Sequence, residues 1–117
     1  MKSKISELEN SNQKLKITLQ KDLSNIIKEN SKSSYQVFFS NFEKLYPHFK
    51  ENLNKVSKHL TANELKLSAF LKLNLSSKEI ASLLNIAPES VDKARYRLRK
   101  KLNLSNDDDL SLFMINV

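Results

Sequence analysis

"SSKEIASLLNIAPESVDKARYRLRKKL", Ser76–Leu102, is the stretch on which the fold turns. Its last ten positions hold six Lys or Arg residues, and a proline stands in the middle of what otherwise reads as helix. Pro88 does not break that helix. Placed at the first helical position it begins a new one, because its missing N–H is one of the donors that a helix start leaves unpaired. The preceding helix therefore stops near Leu84. Asn85 is the residue best suited to the left-handed conformation that ends it, since the chain contains no glycine. A helix of about nine residues, a turn of about three and a second helix from Pro88 to Leu102 make the spacing of a helix-turn-helix.

Neighbouring segments carry the same punctuation. In "LTANEL" (Leu60–Leu65), Thr61 is placed as N-cap and Glu64, three residues on, as its reciprocal partner, with Leu60 and Leu65 flanking as a staple. "LSSKEI" (Leu75–Ile80) repeats the device with Ser76, Glu79, Leu75 and Ile80. "IAPESV" (Ile86–Val91) keeps the staple pair but puts Ala87, a poor cap, before Pro88. After Asn103, which ends the third of these helices, "SNDDDLSLFMINV" opens a fourth. Ser105 or Asn106 is its expected cap, Asp107–Asp109 are expected at the positive end of its dipole, and Leu110, Phe113, Met114 and Val117 form its stripe.

At about 100° per residue, the helix from Pro88 places Val91, Ala94, Leu98 and Leu102 on one side, with Arg95 at the border. Glu89, Lys93, Tyr96 and Lys100 lie opposite, flanked by Asp92 and Arg97, and Arg99 and Lys101 occupy the shoulders. A helix that is only solvated usually mixes charges in i, i+4 pairs. This one accepts like-charge repulsion on a wide cationic face, which suits the major groove of a duplex; the blander reading is a generic basic surface.

The whole chain has 117 residues, a formal charge of +7, no Gly, no Cys and two Pro. One compact domain with an appendage is the expected scale. Without glycine, all-β folds and phosphate-cradling loops are disfavoured and an all-α protein is expected. No disulfide or thiolate metal site is available, and no apolar run approaches membrane-spanning length, so a cytoplasmic setting is expected. The basic balance favours a polyanionic partner, and all three arginines lie at 95, 97 and 99. His48 and His59 stand alone among lysines. With no paired His and no Gly-rich loop, catalytic residues, metal and cofactor are all expected to be absent, and the run Asp107–Asp109 suits a helix start better than a cation.

From Lys2 to about Ser31, Ile5, Leu8, Asn12, Leu15, Leu19, Asp22 and Ile26 keep a 3–4 spacing. This is either a short coiled coil, with Asn12 at an a position favouring two strands and Asp22 as a defect beside Leu23, or a single amphipathic helix packed on its own domain. A break at Ser33–Ser34 is followed by the aromatic-rich run Tyr35–Phe49, with Phe38, Phe42, Leu45 and Phe49 on one face as core or interface. Pro47 interrupts it, and Phe49, Leu53, Val56 and Leu60 continue beyond.

Residues 60–117, through "LTANEL", "LSSKEIASLLNIAPESV" and "RYRLRKKL", resemble the DNA-binding domain of LuxR-type transcriptional regulators. The resemblance implies four helices, the third in the major groove and the fourth commonly a homodimer contact. Carried onto this chain, it implies that Ser90, Asp92, Lys93, Tyr96 and Arg97 face bases or adjoining phosphates, and that Lys100 and Lys101 meet the backbone. Thr61 and Lys78 would reach phosphates at helix starts. Asn85 and Asn103 stand where the family usually has Gly, and Ala87 where a capping Ser is common. Asp92 stands where many members carry Lys, so base preference does not carry over.

The expectation is thus an all-α chain: residues 1–58 a long helix or short coiled coil with an aromatic-rich dimerisation region, and residues 59–117 a four-helix LuxR-type helix-turn-helix domain. Dimerisation is assigned to Ile5, Leu8, Asn12, Leu15 and Leu19 and to Leu110, Phe113 and Met114. Double-stranded DNA is the expected partner of a homodimer, with RNA polymerase or an upstream sensor domain as further partners. The chain is read either as a free-standing regulator or as the C-terminal piece of a longer sensor. Two alternatives use the same residues: a promoter-binding module like region 4 of a sigma factor, and a coiled-coil protein-interaction module.

Overall fold

The computed structural model describes residues 3–105 and 108–117, with the backbone alone over 3–12. The side chains of Ile5, Leu8 and Asn12, and the expected cap residues Asn106 and Asp107, lie outside the described residues. Among the described residues there are seven helices and no strand: α1 (Ser3–Glu29), α2 (Lys32–Leu45), α3 (Phe49–Val56), α4 (Ala62–Lys72), α5 (Ser77–Leu84), α6 (Pro88–Lys101) and α7 (Leu110–Asn116). They form two compact units, one ending at His48 and one running from Phe49 to Val117.

In the first unit α1 and α2 pack as a helical hairpin. The break falls earlier than the serine pair suggested. Asn30 takes φ 44°, and Ser31 caps α2 by accepting the Ser34 N–H at 3.2 Å, while the Ser34 hydroxyl accepts the Ser31 N–H at 3.3 Å. Ser34 is therefore the third helical residue of a capping box and not part of a loop. The stripe of α1 turns inward over this half: Leu19 and Ile26 are buried with Phe38 and Phe42. Asp22, the apparent defect, is 5% exposed and accepts a 2.8 Å hydrogen bond from the Asn41 amide of α2. A buried carboxylate is tolerated when a donor meets it. Leu15 and Leu23 are half-buried. Pro47 disfavours helical geometry at Tyr46, which stops α2.

In the second unit α4 is the central helix. Leu67, Ser68, Ala69, Phe70 and Leu71 are all buried in succession, so this helix has no solvent face over its middle. The Ser68 hydroxyl satisfies itself by donating to the Glu64 carbonyl at 2.7 Å. α6 and α7 pack on α4, and α5 on α6, closing a core of Ile80, Leu83, Val91, Leu98, Leu102, Leu110 and Met114. Each such side chain contributes about 1.5–3 kcal/mol on leaving water. α3, grouped by sequence with the N-terminal region, lies in this unit with Leu53 fully buried. The Asn52 amide donates to the Val117 carbonyl at 3.0 Å, and Lys72 of α4 donates to the Ile115 carbonyl at 2.8 Å with its ammonium 5.6 Å from the Phe49 ring centre. These donors satisfy carbonyls that the end of α7 would leave bare.

Every described residue with positive φ is an asparagine: Asn30, Asn74, Asn85 and Asn103. Without glycine, Asn is the residue that reaches the left-handed region at least cost. After Asn74, Asn85 and Asn103 an apolar residue follows, and Leu75, Ile86 and Leu104 donate back to the carbonyls of Phe70, Ala81 and Arg99 at 3.2, 3.1 and 2.9 Å. Those are the long hydrogen bonds of Schellman-type helix ends.

Candidate nucleic-acid interface

The helix starts are built as their sequences imply. Thr61 accepts the Glu64 N–H at 3.1 Å and the Glu64 carboxylate accepts the Thr61 N–H at 2.8 Å; Ser76 and Glu79 do the same at 3.1 and 3.0 Å. Ala87 caps α6 with no side-chain hydrogen bond, and Pro88 begins that helix. Asn85, at φ 56° and ψ 47°, turns the chain between α5 and α6. The cap of α7 differs from expectation. Asp109 holds it, accepting the Leu112 N–H at 3.2 Å, while Asp108 accepts the Ser105 N–H at 2.8 Å. Both carboxylates thus serve the entry to α7, and among the described residues no His, Cys, Asp or Glu group has the makings of a metal site.

α6 divides as its periodicity implies. Val91 and Leu98 are fully buried and Leu102, just beyond the helix, nearly so. Ser90, Asp92, Lys93, Tyr96, Arg97 and Lys100 are exposed. Tyr96 keeps 46% of its surface in water, and the Lys100 ammonium lies 4.6 Å from its ring centre. That contact holds the phenol and a cation side by side on one face. Ser90 and Arg97 form one wall of an open cleft of about 500 Å³; Thr61, Asn63 and Glu64 form the other, over a floor that includes Leu67, Val91 and Ala94.

Other assigned residues sit differently. Thr61 and Lys78 are exposed at the starts of α4 and α5, although the Thr61 hydroxyl is engaged in its box. Lys101 does not point away from the protein: its ammonium pairs with the Glu64 carboxylate at 2.8 Å. Burial pushes the Glu64 carboxyl up, but hydrogen bonds from Lys101 and Thr61 and the Lys101 charge outweigh it and hold it below its ordinary value. Glu79 is also held low, by its hydrogen bonds with Ser76. Leu110 and Met114, assigned to dimerisation, are fully buried in their own unit, so they are core. On α7 Phe113 is half-buried, and Leu112 and Ile115 are exposed. Leu19 is likewise buried within the chain. Periodicity puts Leu110, Phe113 and Met114 on one stripe but does not say whether the chain's own core or a second chain covers it, and Leu112 and Ile115 leave the opposite face apolar as well.

A capped helix, an asparagine turn and a second helix with one buried and one cationic face define a helix-turn-helix DNA-binding domain. Residues 58–114 match the family model of the bacterial regulatory proteins of the luxR family. The C-terminal segment is a LuxR-type helix-turn-helix domain, the DNA-binding part of a transcription regulator. No curated protein and no solved structure gave a match to the chain. Among the described residues no helix is long and apolar enough to cross a membrane.

Proposed function

We propose that the protein regulates transcription by binding a two-fold symmetric DNA site as a homodimer, with α6 in the major groove. The observation that carries this reading is the division of α6: Val91 and Leu98 anchor it to the core while Lys93, Tyr96 and Arg97 stand exposed together. Those three, with Ser90 and Asp92, read bases; Lys78 and Lys100 meet phosphates, and the backbone N–H groups at the start of α4 serve there beside Thr61.

Residues 1–58 supply dimerisation and residues 59–117 DNA binding, with α3 as a helix built into the latter's compact unit. The lengths of α1 and α2 support a two-stranded contact. α1 has 27 residues and α2 has 14, so they run about 40 and 21 Å. A helix of 14 residues is too short to cover one of 27, and the sequence at the start of α1 keeps Ile5, Leu8, Asn12 and Leu15 at zipper spacing. On α7, Leu112, Phe113 and Ile115 are the second dimer face in place of Leu110 and Met114. An upstream sensor or RNA polymerase completes the regulatory setting.

Selection of binding sites from random duplexes with the whole chain tests this, followed by mass measurement of the complex. The expected outcome is an enriched inverted repeat whose half-sites are about one helical turn apart, bound by two chains. Recovery of duplexes with no common sequence, or of one chain on an isolated half-site, rejects it.

A further inference from the structure

The six cations of α6 fall into two sets. Lys93, Arg97 and Lys100 lie within about 60° of one another around the helix and are exposed. Arg95, Arg99 and Lys101 flank the buried stripe of Val91 and Leu98 and turn back to the protein. Lys101 makes the 2.8 Å ion pair with Glu64, 37 residues earlier in the chain. Arg95 directs an Nη atom to the Ser111 hydroxyl of α7, a long contact of 3.4 Å. Arg99 is half-buried, and its Nε is out of reach of solvent with no hydrogen-bond partner among the described residues.

We propose that, of these six, only Lys93, Arg97 and Lys100 neutralise DNA phosphates or read bases, that Arg95 and Lys101 are positioning residues that brace α6 on α7 and α4, and that Arg99, its Nε shut off from solvent, belongs with this second set. Within the brace, Glu64 is the central member. One carboxylate oxygen accepts both the Thr61 N–H at the start of α4 and the Lys101 ammonium in the last turn of α6. It ties the N-terminus of the central helix to the C-terminus of the reading helix and so helps set the angle between them. Lys101 is thereby withdrawn from the phosphate contacts that its place in the basic run implies. The proposal rests on the DNA-binding reading above and refines which charges carry it.

Salt dependence separates the sets, because each phosphate neutralised adds about 0.9 to the slope of log affinity against log salt. The probe is a fluorescent duplex of random sequence, bound to the full chain between 50 and 200 mM salt (approximate concentrations spanning the useful range). A random duplex suffices because this part of the affinity is independent of sequence. Lys93→Gln, Arg97→Gln and Lys100→Gln are each expected to flatten the slope by about 0.9. Arg95→Met, Arg99→Met and Lys101→Gln are expected to leave it within about a third of that change.

A thermal cycle on Lys101 and Glu64 supplies the readout of bracing. Lys101→Gln should lower the unfolding midpoint in the wild-type background and have no further effect beside Glu64→Gln, which keeps the capping acceptor but not the charge. Lys101→Arg should restore the midpoint. Slope losses at 95, 99 or 101 equal to those at 93, 97 and 100, or additive midpoints in the cycle, overturn the division while leaving DNA binding intact. Failure to bind any duplex overturns both.

Discussion

Replacing Asn85 by alanine, and separately by glycine, isolates what the helix-turn-helix turn costs. Asn85 sits at φ 56° with its side chain exposed, so neither change removes a buried contact. The difference must come from the backbone. In the left-handed region Cβ crowds the following carbonyl oxygen, at a cost of about 1–2 kcal/mol for an ordinary L-residue; Asn recovers part of this through local hydrogen bonding. Alanine should therefore be less stable than Asn by about 1 kcal/mol. Glycine has no Cβ to clash but loses more freedom on folding, and should fall within about 0.5–1 kcal/mol of Asn on the stabilising side. In a unit the size of residues 49–117, each kcal/mol moves the midpoint by about 4–8 °C. Helical circular dichroism during heating, and again in urea, reads both variants. The same exchanges at the exposed Asn74 and Asn103, φ 60° and 59°, serve as replicates in the same unit. An Asn85→Ala protein as stable as the parent, or a glycine variant worse than the alanine one, would falsify the account of how a chain without glycine turns.

Four further outcomes are expected. Leu98→Ala empties a fully buried site beneath the reading face and should cost about 2–5 kcal/mol in urea unfolding. Arg97→Ala leaves stability unchanged but loses about 1–3 kcal/mol of DNA affinity, with relaxed preference at one base position in a repeated site selection. In the hairpin, Asn41→Ala strands the buried Asp22 carboxylate and should cost about 1–3 kcal/mol, whereas changing both residues to Leu should recover most of it; denaturant titration distinguishes the two. Acid sensitivity follows from Glu64 and Glu79, whose carboxyls are held low in the folded state. A depressed folded value means that the stabilisation is present above the unfolded value and is lost as pH falls through the folded one. Between neutral pH and the ordinary carboxylate range the parent should be level and then lose stability on further acidification. The Glu64→Gln/Glu79→Gln protein should fall less steeply, and an identical pH profile speaks against these boxes.

What the sequence by itself determined is whatever repeats within a turn or two of helix. Thr61 with Glu64, Ser76 with Glu79, Pro88 at a helix start and the asparagine turn at 85 are interactions between residues three to five apart, so backbone geometry dictates them before any helix meets another. The two faces of α6 belong to the same class, because a period of 3.6 assigns each side chain its side. The tertiary structure decided everything that depends on how helices cross. Whether Leu19 and Ile26 face a second chain or α2 could not be read from their spacing, since a zipper and a hairpin want the same stripe. The stripe of α7 was legible, but only the packing of α4 against it decides that Leu110 and Met114 meet the chain's own core and not a second chain. Asp22 with Asn41 and Lys101 with Glu64 are 19 and 37 residues apart, and a charge in a basic run looks the same in sequence whether it meets a phosphate or a carboxylate. Helix positions are local in origin; helix partners are not, because the same amphipathic surface gains burial energy from any apolar face that reaches it.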